Sequence, residues 1–310
     1  MLHDLAYVAL VSKDVDRAAR FFETTLGLMR TDAQIGDTTR TVPVFAVGRS
    51  AVAVFAPGDP FVGGEERTGV HHLAIAAPDP DRAAELGQSK GVGRLPGNAG
   101  SGLQNRKRVA LDPAGTAGVR VYLTEPVERR PSPAGKVQHI DHVGIVSADN
   151  RTAIDIFCGK LGLELESQQT DMEVEIAVES FTSDKYGVVY HTRPPRPVGG
   201  LRVAFITVGD CELEFLQNFD PAQGGFIDRA SAGTTRQDQG AIARYIANRG
   251  AGLHHVALRV DDIDSVLADA GRDGFATIDR VGRPGSRRAR IGFVQPGALG
   301  GVLLHFVQRD

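Results

Sequence analysis

The chain has 310 residues, 42% of them hydrophobic, and a formal net charge of −3. That length is enough for two domains, each with its own core, and the near-neutral balance gives no electrostatic reason to expect nucleic acid or an anionic membrane as partner. No run of ~18 apolar residues occurs, which argues against a membrane span.

The first residues, MLHDLAYVALVSKD, carry no basic leader and enter strand-like alternation at once, so they do not read as a signal peptide. LAYVALV alternates at period two and predicts a strand. Ala18, Phe21, Phe22 and Leu26 then recur at helical spacing, predicting a helix over 14–26. Its acidic start suits the positive helix end, and Gly27 stops it as a left-handed cap. PVFAV and AVAVFAP follow as strands. His72–Ala84 (HLAIAAPDPDRAA) next repeats Tyr7–Ala19 (YVALVSKDVDRAA) without a gap. The Gly-rich stretch 91–102 lacks a following lysine and helix pattern, so it is not a phosphate loop. VERRPSPAGKVQ is rich in Pro and charge and reads as the linker, 128–138, between a domain over 1–127 and one over 139–310.

The second half restates the first. HVGIVSAD (142–149) and HVALRVDD (255–262) each give a strand, an acidic turn and a helix start. Residues 69–123 match 252–306 without a gap. Two insertions fall near 165–200 and 220–250. The first holds His191 in YGVVYHTRPPRP, a loop histidine expected to be solvated. The second, PAQGGFIDRASAGTTRQDQG, is small and polar, and reads either as a lid over a site or as a plain surface loop. Cys158 and Cys211 read as buried free thiols rather than a disulfide. A cytoplasmic protein is the resulting expectation.

Four βαβββ units with these signatures resemble the vicinal oxygen chelate superfamily, which includes glyoxalase I, methylmalonyl-CoA epimerases, fosfomycin resistance proteins and extradiol dioxygenases. RYIANRGAGLHHVALRVDDIDSVL and GGVLLHF are similar to methylmalonyl-CoA epimerase, whereas the tandem layout resembles extradiol and 4-hydroxyphenylpyruvate dioxygenases. The resemblance implies an α+β fold in which the four units pair into two curved open barrels, each wrapping a potential metal position. Pairing of units within a half, and pairing between two chains as a homodimer, stay open.

Folds of this kind draw ligands from the first and last strands of each unit. The internal alignment then gives His142, Glu214, His255 and His305 in the second half, and Tyr7, Ala53, His72 and Tyr122 in the first. Strand parity sets the four second-half residues opposite the apolar, helix-packing faces. Three imidazoles and a carboxylate suit Fe, Mn, Ni, Co or Zn. The first half, with only His72, is expected to hold no metal. His305 stands where the resembled enzymes usually carry a carboxylate, and the second epimerase base would fall near Val203, where no acid occurs.

Glu212, on the face of Glu214, is a candidate proton-transfer base. Arg259, on the face of His255, and Arg290 are candidates to hold an anionic substrate group. Parity assigns His254 to the apolar side. The function expected is metal-dependent isomerase or lyase chemistry without redox change, on a small oxygen-rich substrate, through a metal-stabilised enediolate. Fe(II)-dependent dioxygenation of the extradiol or 2-oxo acid type is the alternative. A metal-free small-molecule binding protein is a third reading, weakened by the absence of Trp and an aromatic content of 6%.

Overall fold

The computed structural model describes residues 2, 4–132, 135–218 and 240–309. Apart from Gly240, the segment PAQGGFIDRASAGTTRQDQG, read as a lid or a surface loop, therefore lies outside the described residues. The first half contains β1 (Asp4–Val11), α1 (Val15–Arg20), β2 (Arg30–Gln34), β3 (Thr41–Val47), β4 (Ser50–Phe55), β5 (Gly69–Ala76), α2 (Pro80–Ser89), β6 (Arg94–Ser101), β7 (Lys107–Leu111) and β8 (Val121–Thr124). The second contains β9 (Val137–Ser147), α3 (Asn150–Ile154), β10 (Glu164–Glu175), β11 (Val178–Ser183), β12 (Gly187–Thr192), β13 (Arg196–Val208), β14 (Cys211–Asn218), α4 (Ala241–Arg249), β15 (Gly252–Val260), α5 (Ile263–Arg272), β16 (Arg283–Pro284), β17 (Arg290–Val294) and β18 (Leu304–Gln308). No described helix is long and apolar enough to cross a membrane.

Each half forms one eight-stranded mixed sheet, ordered β2-β3-β4-β1-β5-β8-β7-β6 and β10-β13-β14-β9-β15-β18-β17-β16. Units therefore pair within a half. In both sheets the first strands of the two units lie antiparallel at the centre, each flanked by the parallel last strand of its own unit. The first insertion extends β10 and β13 and adds the hairpin β11–β12, where His191 lies exposed on a strand against Phe181.

The acidic helix starts act as caps. Asp14, Asp79, Asp149 and Asp262, at corresponding positions of the four units, each accept a backbone N–H from the first turn. The helix expected over 14–26 changes character midway: α1 gives way to a π-helical turn, Phe21–Thr25, as α3 does over Asp155–Lys160. The wider turn accommodates an extra residue, so that consecutive Phe21 and Phe22 are both fully buried.

The expectation of a separate core for each half is not met on the helical side. Buried residues of both sheets and their helices, from Leu5 to Phe306, form one continuous cluster. The contact between halves is reciprocal. A Cβ on Gly118 would strike Ala251, and one on Gly301 would strike Thr68; residues 68 and 118 correspond to 251 and 301 in the repeat. That is the pattern of a two-fold interface, here within one chain. Ser12 Oγ donates to Leu299 O at 3.1 Å, Thr25 Oγ1 donates to Asp273 Oδ2 at 2.7 Å, and Lys136 Nζ pairs with Asp269 at 2.5 Å across it.

Candidate metal centre

The concave face of the second sheet carries the site. Its four central strands, β14, β9, β15 and β18, each contribute one expected ligand. Register sets these ligands in two adjacent rows. Glu214, Gly144 and His255 are aligned in one row, and His142, Ala257 and His305 in the next. The two small residues leave room for the large ones. A Cβ on Gly144 would lie 2.0 Å from Cε1 of His255.

The donor atoms of His142, His255 and His305 all lie within 4.8 Å of one another. His142 Nε2 is 3.4 Å from His255 Nε2 and 3.2 Å from His305 Nε2. Glu214 Oε2 is 3.4 Å from His142 Nε2 and 3.5 Å from His255 Nε2. All four residues are buried.

This donor set fits a divalent cation. Two ligand atoms each about 2.1 Å from one ion, at tetrahedral to octahedral angles, stand about 3.0–3.4 Å apart. Three imidazole nitrogens and a carboxylate facing one point would otherwise set lone pairs against each other. Burial, reinforced by their imidazole neighbours, holds His255 and His305 below the ordinary histidine range, and so as neutral ligands at pH 7. Burial opposes charge on His142 as well, but Glu214 and Asp141 outweigh it and raise its pKa. Glu214 is held low despite burial, by the charge of His142 and a hydrogen bond from His255.

These four candidate ligands line a cavity of about 320 Å3. One wall is Val203, Leu216 and Ile242; the other is Ile291, Phe293 and Val307. Asp171, on β10, faces the same cavity. Burial raises its carboxyl pKa and Glu214 adds to the shift, against hydrogen bonds from Gln169 Nε2 at 3.1 and 3.2 Å. The sequence reading missed Asp171, which lies in the insertion and has no repeat counterpart.

The other expected site residues are placed elsewhere. Glu212 shares the face of Glu214 but lines a neighbouring depression, where it binds Arg287 Nη1 at 2.5 Å. Arg259 lines that depression too, donating to Arg309 O at 3.0 Å. Arg290 faces the opposite way, and its Nη2 donates to both carboxylate oxygens of Asp264 of α5, at 2.7 and 2.8 Å. Parity on β17 is the reverse of that expected: Ile291 and Phe293 face the cavity, and Gly292 packs on Leu267. His254 is also corrected. A register shift between Leu253 and His255 turns it into the cavity wall, with Nδ1 3.0 Å from His255 Nδ1.

The first half has the same checkerboard with different contents. Ala53, Ala9 and His72 form one row, Tyr7, Ala74 and Tyr122 the other. Tyr7 Oη is 3.3 Å from His72 Nε2, and Arg108 lies over the Phe61 and Tyr122 rings at 3.7 and 4.7 Å. Burial pushes the Tyr7 phenol up to about 12, against the opposing charge of Arg108. This face is packed with side chains.

Paired βαβββ units, curled so that four central strands present donors to one concave face, define the vicinal oxygen chelate class. The chain resembles that superfamily: residues 141–293, just under half of its length, match the Glyoxalase/Bleomycin resistance protein/Dioxygenase superfamily. Mitochondrial methylmalonyl-CoA epimerase of Mus musculus is 25% identical over 131 residues, 42% of this chain and 64% of that one. The Homo sapiens counterpart is 24% identical over 116 residues, 37% of this chain and 56% of that one. The chain thus matches less than two thirds of the length of these relatives. In fold, the whole chain aligns with 93% of a 4-hydroxymandelate synthase variant from Streptomyces coelicolor, TM-score 0.62 at 16% identity. It also aligns with 93% of the 2,3-dioxygenase LapB from Pseudomonas sp. KL28, TM-score 0.56 at 13% identity.

Proposed function

We propose that the protein is a metal-dependent isomerase or lyase working without redox change on a small oxygen-rich substrate. The observation that carries this reading is the convergence of His142, His255, His305 and Glu214 beneath an apolar cavity, with His142 Nε2 3.2–3.4 Å from a donor of each of the others and Glu214 Oε2 3.5 Å from His255 Nε2. A bound divalent cation supplies Lewis-acid stabilisation of negative charge on two adjacent substrate oxygens. The apolar walls exclude water, and the carboxylate of Asp171 takes up and returns the substrate proton. Similarity to the mitochondrial methylmalonyl-CoA epimerases favours this chemistry.

Purified protein is expected to contain about one divalent cation per chain, and Glu214→Ala to lose both the cation and turnover. Full activity of Glu214→Ala in chelator-treated buffer would refute the reading. Asp171→Asn is expected to keep the cation while kcat falls roughly 10²–10⁴-fold, the range for loss of a general base. A base acts deprotonated, so the rate profile should show an acid limb set by Asp171, whose burial favours the protonated form. That limb should vanish in Asp171→Asn.

One observation favours a second reading. The tandem fold aligns over its whole length with that of the dioxygenase LapB. Oxygen uptake measured with catechols and 2-oxo acids separates the two: consumption coupled to substrate loss would establish dioxygenation.

A further inference from the structure

We infer that Asp141, clamped by Arg309, is the residue that positions His142 for the cation; this rests on the metal-binding reading above. Ile140 and His142 pair with Leu258 and Ala257, which are consecutive, so Asp141 is the additional residue of a β-bulge. In a regular strand Asp141 would point away from His142. The bulge turns its carboxylate alongside instead, and Oδ1 lies 2.8 Å from His142 Nδ1. The carboxylate accepts the proton on Nδ1, which leaves the Nε2 lone pair directed at Glu214, His255 and His305.

The carboxylate is itself fixed. Arg309 donates through Nε to Oδ2 at 3.1 Å and through Nη2 to Oδ1 at 2.8 Å, a bidentate fork. Arg259 stands 3.8 Å from Oδ2 and donates to the carbonyl of Arg309 at 3.0 Å. Asp141 is 7% exposed, so its charge is not left to solvent. Support of this kind sets the tautomer and ring orientation of a ligating histidine. The three imidazoles are unequal in this respect: His255 has His254 beside it, whereas His305 Nδ1 has no hydrogen-bond partner among the described residues.

The first half provides an internal control. β1 has the same bulge, between Leu5 and Tyr7, and its additional residue is Ala6. Where the histidine is replaced by Tyr7, the carboxylate is absent as well, although the backbone device remains.

The test is calorimetric titration of chelator-stripped protein with Co2+ and Zn2+, together with the visible spectrum of the Co2+ form. Asp141→Ala and Asp141→Asn should each weaken binding about 10–100-fold, the range for outer-shell partners of a metal ligand, and alter the Co2+ spectrum. Asp141→Glu should recover part of the affinity. Arg309→Leu should weaken binding in the native background and have little further effect in Asp141→Ala, showing that the two act together. Glu23→Gln, exposed in the first half, should leave affinity unchanged. Wild-type affinity and spectrum in Asp141→Ala would overturn the inference and leave the metal reading intact. Failure of wild-type protein to bind either cation would defeat the metal reading itself.

Discussion

Gly144→Ala is expected to lose most of its affinity for a divalent cation while keeping the fold. The β-carbon would occupy the place of the His255 ring, 2.0 Å from Cε1, 2.4 Å from Nδ1 and 2.5 Å from Nε2. Gly144 and His255 are direct partners in the central strand pair, so neither backbone can withdraw alone. The ring must turn out of the donor cluster, taking one ligand from the proposed cation. Overpacking of this kind costs about 1–3 kcal/mol of stability, and cation affinity should fall at least ~100-fold, the upper range for disturbing the support of a metal ligand. Ala9 shows why the fold survives: it occupies the equivalent position opposite His72, whose Nε2 is directed to Tyr7. Denaturant melts and metal titration of the same preparation give the answer. An alanine variant with native cation affinity would show that His255 is not a ligand.

The convergence of four donor residues was legible because repetition exposes it. His142, Glu214, His255 and His305 stand out once four units are aligned, and their strands prove adjacent in the sheet. What stayed hidden depends on departures from period two. Simple parity sends Asp141 and His254 to the helical side, yet a bulge at each returns it toward the ligand that follows. A short strand is no better guide: Arg290 is a candidate for the cavity by sequence, yet on β17 Ile291 and Phe293 face it, because nothing in the run Arg290–Val294 marks which face meets α5. Glu212 shows a different limit. It shares the face of Glu214, but the strand runs past the cavity, and Arg287, from a turn distant in sequence, neutralises the carboxylate. Asp171 lies in an insertion, where alignment has no counterpart to offer. Periodicity and repetition thus report which strand and which face; they are silent on bulges, phase in short strands and partners from loops.

Phe21→Ala is expected to destabilise both halves together, by about 3–5 kcal/mol, the range for deleting a buried phenylalanine ring. Phe21 is fully buried, and its ring centre lies 4.9 Å from that of Phe275 and 6.3 Å from that of Phe306, both in the second half. A residue of the first half therefore packs against β18, the strand that carries His305. Composition alone suggested two independent cores, which would unfold in two steps. One continuous cluster predicts one transition instead. Hydrogen exchange at increasing denaturant, read by mass spectrometry on peptides of β1–β8 and of β9–β18, distinguishes these outcomes. Core strands of both sheets should open at the same midpoint, and Phe21→Ala should move the two midpoints equally. Early opening of the first sheet alone, with the second still protected, would show that the halves are separately stable. Joint opening gives the first half a role that needs no ligand of its own: through the shared helical layer, it supports the convex side of the sheet on whose concave face the four donors stand.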